Sequence, residues 1–268
     1  KDGGIVFYGV GPEEWTQSAT NRYTQSTNLY TEAGYYFIGE SDEPSPEIET
    51  IGRGTAESPA TDFVELIHYE QELVSPGEAG PMLVGEDFRF TPTRKFSFTM
   101  PDKSGDKVWF EVSFVAKTYN AASQLTFNVN GTDLTANNSD RIAATSNSVY
   151  VHATEGIARH ETAVDGQRLD LTVTHKASTV VYSAWLNYIS VNYQRELKLP
   201  AAGHIAFRQR STGLSLDLSG ADASGVTVWD VTEPSSVRTL ATGSDGGRAV
   251  WTNPYSGLRS YVAWRSDA

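Results

Sequence analysis

The chain has 268 residues, 39% of them hydrophobic, and a formal net charge of -12. That length suits one to three domains and is enough to bury a core without covalent staples. Cysteine is absent, which excludes disulfides, thiolate metal sites and a cysteine nucleophile from these residues.

The charge is unevenly spread. Residues 1–87 carry 17 acidic and 3 basic side chains, whereas residues 88–268 carry 16 and 18. No basic footprint of the kind that nucleic acid requires is present, so no nucleic-acid partner is expected. The acidic first third is expected either to be solvated or to face a basic patch on a partner. A charged-then-apolar leader and a bilayer-length apolar run are both lacking, so no transmembrane segment is expected, and the start at Lys1 reads as that of a piece of something longer. Lack of cysteine fits an exported bacterial protein.

Residues 1–88 contain GIVFYGVG (4–11), YYFIGE (35–40), IETIG (48–52) and FVELIHYE (63–70), with the Pro- and acid-rich ESDEPSPE at 40–47. These read as short strands of an acidic N-terminal β region. From 89 to 198 the apolar residues have period two, as half-buried strands require. Phe96, Phe98 and Met100 point one way, as do Val108, Phe110, Val112 and Phe114, then Leu125, Phe127 and Val129. The clearest case is Leu169, Leu171, Val173 and His175, alternating with Asp170, Thr172, Thr174 and Lys176. SVYVHA (148–153) and RHETAV (159–164) complete the set before the long run at 179–193.

WLNYISVNYQREL (185–197) fits two patterns. Trp185, Ile189, Tyr193 and Leu197 lie on one helical face, but Trp185, Ile189, Val191 and Tyr193 also line one side of a strand. The β-branched and aromatic residues that feed into it favour the strand, with Gln194–Leu197 as the exit to the last unit. Asn130-Gly131, between QLTFNV and TDL, predicts a tight hairpin, because both residues tolerate positive φ. Asn130-Gly131-Thr132 and Asn137-Asn138-Ser139 match the glycosylation sequon, a pattern frequent by chance. Residues 199–268 hold HIAFRQ, LSLDLS, VTVWDV, RTLA, RAVW and SYVAW, again short strands. The expected fold is all-β: a central jelly-roll-like β-sandwich (89–198) flanked by smaller β units at 1–88 and 199–268.

Chemistry is sparse. Nucleophile elbows, Walker loops, GxGxxG and HExxH are absent, and no cofactor is implied. His68, His152, His160, His175 and His204 lack the spacing of a local metal cluster and read as ordinary surface or core histidines. Asp217 to Gly225 offers oxygen ligands, Asp217 and Asp222 foremost, but without EF-hand spacing it reads as a polar turn rather than a calcium site. The pairs Glu13-Glu14 and Asp42-Glu43 read as solvated loop charge. Six Trp and 13 Tyr leave a glycan-binding sandwich as an alternative reading. Trp109, Trp185, Trp229 and Trp251 fall in strand runs and are expected in cores, whereas Trp15, in a polar stretch, is the candidate exposed aromatic platform.

Taken together, GIVFYGVGPEEW (4–15), NLYTEAGYYFI (28–38), HYEQEL (68–73), GEDF (85–88), LNYISVNYQREL (186–197), HIAFR (204–208) and VWDVTEP (228–234) carry a resemblance. In that order they resemble the region before the catalytic domain of the PorU-like peptidases. These are the sortase-like C-terminal signal peptidases of the type IX secretion system, in the gingipain-type cysteine peptidase family. The resemblance spans almost the whole chain, and Leu83 in PMLVGEDF departs from it where family members often carry Trp.

The resemblance implies a parent that removes C-terminal sorting domains from secreted cargo at the bacterial outer membrane and passes the new carboxyl end to lipopolysaccharide. It also implies an outer-membrane β-barrel shuttle as partner. The family's Cys nucleophile, activated by a His, sits in an α/β domain that follows the region compared. No residue of this chain matches it, so no catalytic residue is assigned, and the implied role is scaffold or docking module for the catalytic domain, the shuttle or the cargo.

Overall fold

The computed structural model describes residues 6–28, 30–40, 42, 47–77, 82–145, 153–178, 182–201, 203–220 and 225–265. The strands in chain order are β1 (Glu14–Gln17), β2 (Tyr23–Ser26), β3 (Glu49–Ile51), β4 (Asp62–Glu70), β5 (Thr93–Thr99), β6 (Lys103–Thr118), β7 (Ser123–Val129), β8 (Thr132–Asp133) and β9 (Arg141–Ile142). They continue as β10 (Thr154–Ala163), β11 (Arg168–Ala177), β12 (Tyr182–Glu196), β13 (His204–Gln209), β14 (Gly213–Asp217), β15 (Val226–Asp230), β16 (Arg238–Leu240), β17 (Gly243–Asp245), β18 (Arg248–Thr252) and β19 (Arg259–Arg265). Among the described residues there is no α-helix, and so none long and apolar enough to cross a membrane. The all-β expectation is met. SVYVHA lies almost wholly outside the described residues.

By contacts the chain forms two compact units, one made of residues 15–25 and 65–194, the other of 1–14, 26–64 and 195–268. This differs from three consecutive segments, because residues 1–88 contribute to both units. The physical reason is strand pairing: β3 adds in parallel to β16, with Arg238 pairing Glu49 at 2.9 Å, and so joins the last sheet of the chain.

The unit of 15–25 and 65–194 is a β-sandwich. One sheet has the order β10-β6-β12-β4, the other β5-β11-β7-β8 with β9 also on β7. Alternation sends Phe110, Phe114, Leu125, Phe127, Leu169 and Leu171 into one shared core, each such side chain stabilising the fold by about 1.5–3 kcal/mol. The Asn130-Gly131 turn forms as expected, with φ of 49° and 89° between Val129 and its partner Thr132.

The stretch from Trp185 is strand, as read from sequence, but its facing is not. Ala184 and Leu186 enter the core, and so do Ile189, Val191 and Tyr193. The alternation slips by one residue across Asn187 and Tyr188, as at a β-bulge. Trp185 therefore stands on the face opposite Leu186 and only half-buried, not in the core. Trp109, on the outer phase of β6, is also half-buried, under the guanidinium of Arg22 at 4.9 Å.

The β1–β2 ribbon covers part of that outer face. Tyr23 N–H donates to Asn192 Oδ1 (2.6 Å), and Asn192 Nδ2 donates to Tyr23 O (2.8 Å). A side-chain amide thus satisfies both backbone groups of a buried residue. Arg22 also pairs with Glu161, which Lys107 meets at 2.8 Å.

The second unit holds the sheets β13-β19-β15-β16-β3 and β14-β18-β17 around Phe207, Leu214, Leu216, Val228, Trp251 and Tyr261. Gly213 is required there by close approach: a Cβ on it would lie 2.2 Å from the Cβ of Ala56.

Candidate docking surface

GIVFYGVG and YYFIGE were expected to be strands, yet residues 6–10 and 35–40 form no ladder. They run as neighbouring irregular segments. Tyr36 OH donates to Val10 O, and the rings of Phe7 and Tyr36 lie 5.6 Å apart. Their apolar groups largely face solvent: Phe37 is 100% exposed and Tyr35 82%, with Val6, Phe7 and Ile38 also exposed, and Tyr30, on the stretch before them, is 92% exposed. Single exposed apolar residues are ordinary, but several exposed aromatics on neighbouring segments make a candidate docking surface. Glu13, Glu14, Glu32, Glu40 and Asp42, all exposed, lie near these residues in sequence.

Within the same unit, Val6–Gly9 border a groove of about 500 Å3 whose floor is the outer face of the β13-β19-β15 sheet. Trp229 and Trp264 meet edge to face at 4.8 Å on that floor. Alternation explains it, since Val228 and Ala263 point into the core and leave the two Trp on the other side.

The residues singled out from sequence are dispersed. Trp15 is half-buried, its ring meeting Tyr23 at 5.6 Å and 68°. Asp217 accepts from Ser219 N (2.8 Å) and faces Arg248 at 3.9 Å, while Asp222 lies outside the described residues. Among the described residues no three His, Asp or Glu converge as metal ligands. Glu13 and Glu14 are exposed; Asp42 is exposed and Glu43 lies outside the described residues. Both sequon asparagines spend their amides on the fold: Asn130 bonds Arg168 O and Asp170 N, and Asn137 bonds Arg159 O and Ser139 N.

The histidines serve the fold. His68 bonds Ser190 (3.0 Å) and Glu70 (3.2 Å), and buried His160 bonds Asp140 (2.7 Å) while stacking on Phe110. His204 is exposed at the start of β13, and His152 lies outside the described residues. His175 is buried against Phe114 and Tyr182, and neither ring nitrogen has a hydrogen-bond partner among the described residues. Burial holds its pKa down at about 4.

Sequence reading missed two buried polar networks. In one, Asp230 is 1% exposed and accepts from Arg259 (2.6 Å), Asn253 (2.7 Å) and Thr232 (2.6 Å). Burial opposes its ionisation, but these hydrogen bonds outweigh it and hold the carboxyl below the usual range. In the other, Glu111 takes Arg159 at 2.8 Å and the hydroxyl of Tyr188 at 2.6 Å. Burial, then that bond to Glu111, pushes the Tyr188 hydroxyl far above its ordinary pKa. The only sequence signal was polar residues at strand positions, which does not reveal their partners.

No family model and no curated protein matches the chain. Among solved structures, dimeric latent PorU from Porphyromonas gingivalis matches with a TM-score of 0.77 and 20% identity over 97% of this chain. The chain spans about a quarter of that protein, 26% of its length. A Paenibacillus sp. cycloisomaltooligosaccharide glucanotransferase, complexed with cycloisomaltoheptaose, matches at a TM-score of 0.24 and 10% identity, covering 64% of this chain and 40% of the enzyme. That second likeness carries no argument. With no cysteine of its own, the chain has the fold of a region of latent PorU and no cysteine nucleophile.

Proposed function

We propose that this chain is a non-catalytic docking region of a PorU-like, surface-exposed peptidase of the type IX secretion system. The fold likeness to latent PorU and the ordered sequence motifs support the family reading. The docking role rests on one observation, the exposed aromatic residues Phe7, Tyr30 and Tyr35 to Phe37; the exposed acidic residues near them in sequence are taken as the acidic rim of the strip.

The occupant is the catalytic portion of the same polypeptide, presenting an apolar surface edged by basic side chains. The β-barrel shuttle, the sorting-domain cargo and the lipopolysaccharide acceptor are then partners of the whole protein, at the cell surface. Aromatic burial would supply affinity, and the acidic rim orientation and rate.

Titration of this chain with the separately produced catalytic portion tests the reading. Tyr35→Ser with Phe37→Ser is expected to weaken binding at least tenfold without changing the unfolding midpoint. Unchanged affinity in that variant removes the role of the strip. A parental reading frame lacking an α/β domain with a His and a Cys nucleophile removes the family reading itself.

A further inference from the structure

In the second unit, residues 53–60 cross the outer face of the β14-β18-β17 sheet. That face carries Gly213, Thr252, Val250, Gly243 and Asp245, because Leu214, Ala249 and Trp251, which alternate with them, point into the core. Three contacts hold the crossing segment down. Ala56 packs on Gly213, Gly54 N–H donates to Thr252 Oγ1 (2.8 Å), and the guanidinium of Arg53 lies against Gly243, where a Cβ would come within 2.0 Å of it. At the end of the segment Ala60 joins β14: its N–H donates to Gly213 O and its O accepts from Ser215 N, both at 2.9 Å. Between segment and sheet remains a cavity of about 220 Å3, whose wall includes Arg53, Thr55, Glu57, Pro59, Asp245 and Val250.

The charges round this cavity are unmatched. Arg53, Glu57 and Asp245 form no ion pair among the described residues, although Gly243, under the guanidinium, is only about 7 Å along β17 from Asp245. Arg248, directly across from Asp245, turns to Ser215 (2.7 Å) and Asp217 (3.9 Å) instead. Contact with Gly243 keeps the Arg53 cation in place, so one cation and two carboxylates border a single space without closing on one another. Val250 and Pro59, both half-buried, supply the apolar part of the wall.

We infer that this cavity binds a small zwitterion, an aliphatic α-amino acid. Its carboxylate lies on Arg53, its ammonium between Glu57 and Asp245, and its side chain on Val250 and Pro59. A guanidinium offers a carboxylate two parallel N–H donors, and carboxylates, which only accept, suit the three donors of an ammonium. A simple anion leaves the two acids unmet, and a simple cation leaves Arg53 unmet. Size agrees: a cavity of roughly 150 Å3 holds benzene, so this one suits a molecule the size of valine. The site shares no residue with the aromatic strip, and the inference does not depend on the docking role.

Calorimetric titration of the chain with L-valine, isovalerate and isobutylamine tests it, the last two being valine without its ammonium and without its carboxylate. Valine is expected to bind at least tenfold tighter than either. Arg53→Gln and Asp245→Ser, both at exposed positions, should each weaken it about tenfold, the scale of one hydrogen bond to a charged group. Gly243→Ala should do the same with Arg53 intact, because the new methyl group takes the place of the guanidinium. Where that variant lowers the unfolding midpoint, the two surface variants decide. No binding of valine at 10 mM (roughly the weakest affinity worth assigning), equally tight binding of isovalerate or isobutylamine, or indifference to both Arg53→Gln and Asp245→Ser would each overturn the proposal.

Discussion

His175 shows how one residue can set acid sensitivity. Unfolded, an imidazole titrates near its ordinary 6.5, but in the fold burial holds it at about 4. As pH falls below 6.5 the unfolded chain takes up the proton first, so the stability due to His175 is complete above 6.5 and is lost toward 4. The total is about 3 kcal/mol. His175→Leu should flatten the fall in denaturant midpoint across that window by this amount; parallel profiles for the two proteins would show that the ring is solvated. Asp230 works in the opposite sense, as a buried charge that is fully partnered. Asp230→Ala leaves Arg259 without its buried partner and should cost about 3–5 kcal/mol in urea unfolding.

At the scale of elements, the hairpin and the ribbon make contrasting cases. Asn130-Gly131 is local: the turn demands positive φ, and Gly131→Ala should destabilise by about 1–2 kcal/mol. The β1–β2 ribbon depends on a side chain 169 residues away in sequence, because Asn192 pairs with both backbone groups of Tyr23. Asn192→Ala leaves a buried N–H and C=O unsatisfied, at about 1–3 kcal/mol each. Limited proteolysis should then cut residues 15–25 faster than in the wild type, while the sandwich strands stay protected. Equal cutting rates would mean that the ribbon is held by Arg22 on Trp109 and Glu161 instead.

For the whole molecule, eight of the 17 acidic residues of the first third and the exposed Phe7, Tyr30, Tyr35, Tyr36 and Phe37 fall within residues 6–49. A surface of that kind associates through apolar burial and is steered by charge, so association should slow as salt rises from low to physiological ionic strength. Stopped-flow measurement of the on-rate with the catalytic portion checks this, and a rate indifferent to salt would leave the acidic rim without a role.

Period-two runs determined the all-β class and most strands, because strand facing is written in alternation wherever one side is wet and the other dry. The hairpin was legible for a similar reason, since two adjacent residues suffice to specify it. What alternation does not contain is the identity of the neighbour. Trp185 reads as core until the slip at Asn187 and Tyr188 turns it outward, and that slip is fixed by pairing with distant strands. IETIG reads as part of an N-terminal region until β3 joins β16. YYFIGE has the composition of a strand, but a strand needs a ladder partner, and residues 35–40 have none. Arg53 and Asp245, far apart in sequence, border one cavity only because residues 53–60 cross β17, β18 and β14. Local sequence fixes what each segment can bury; only the tertiary structure decides which segments meet, because long-range pairing is paid for in chain entropy and repaid by contacts that no local pattern records.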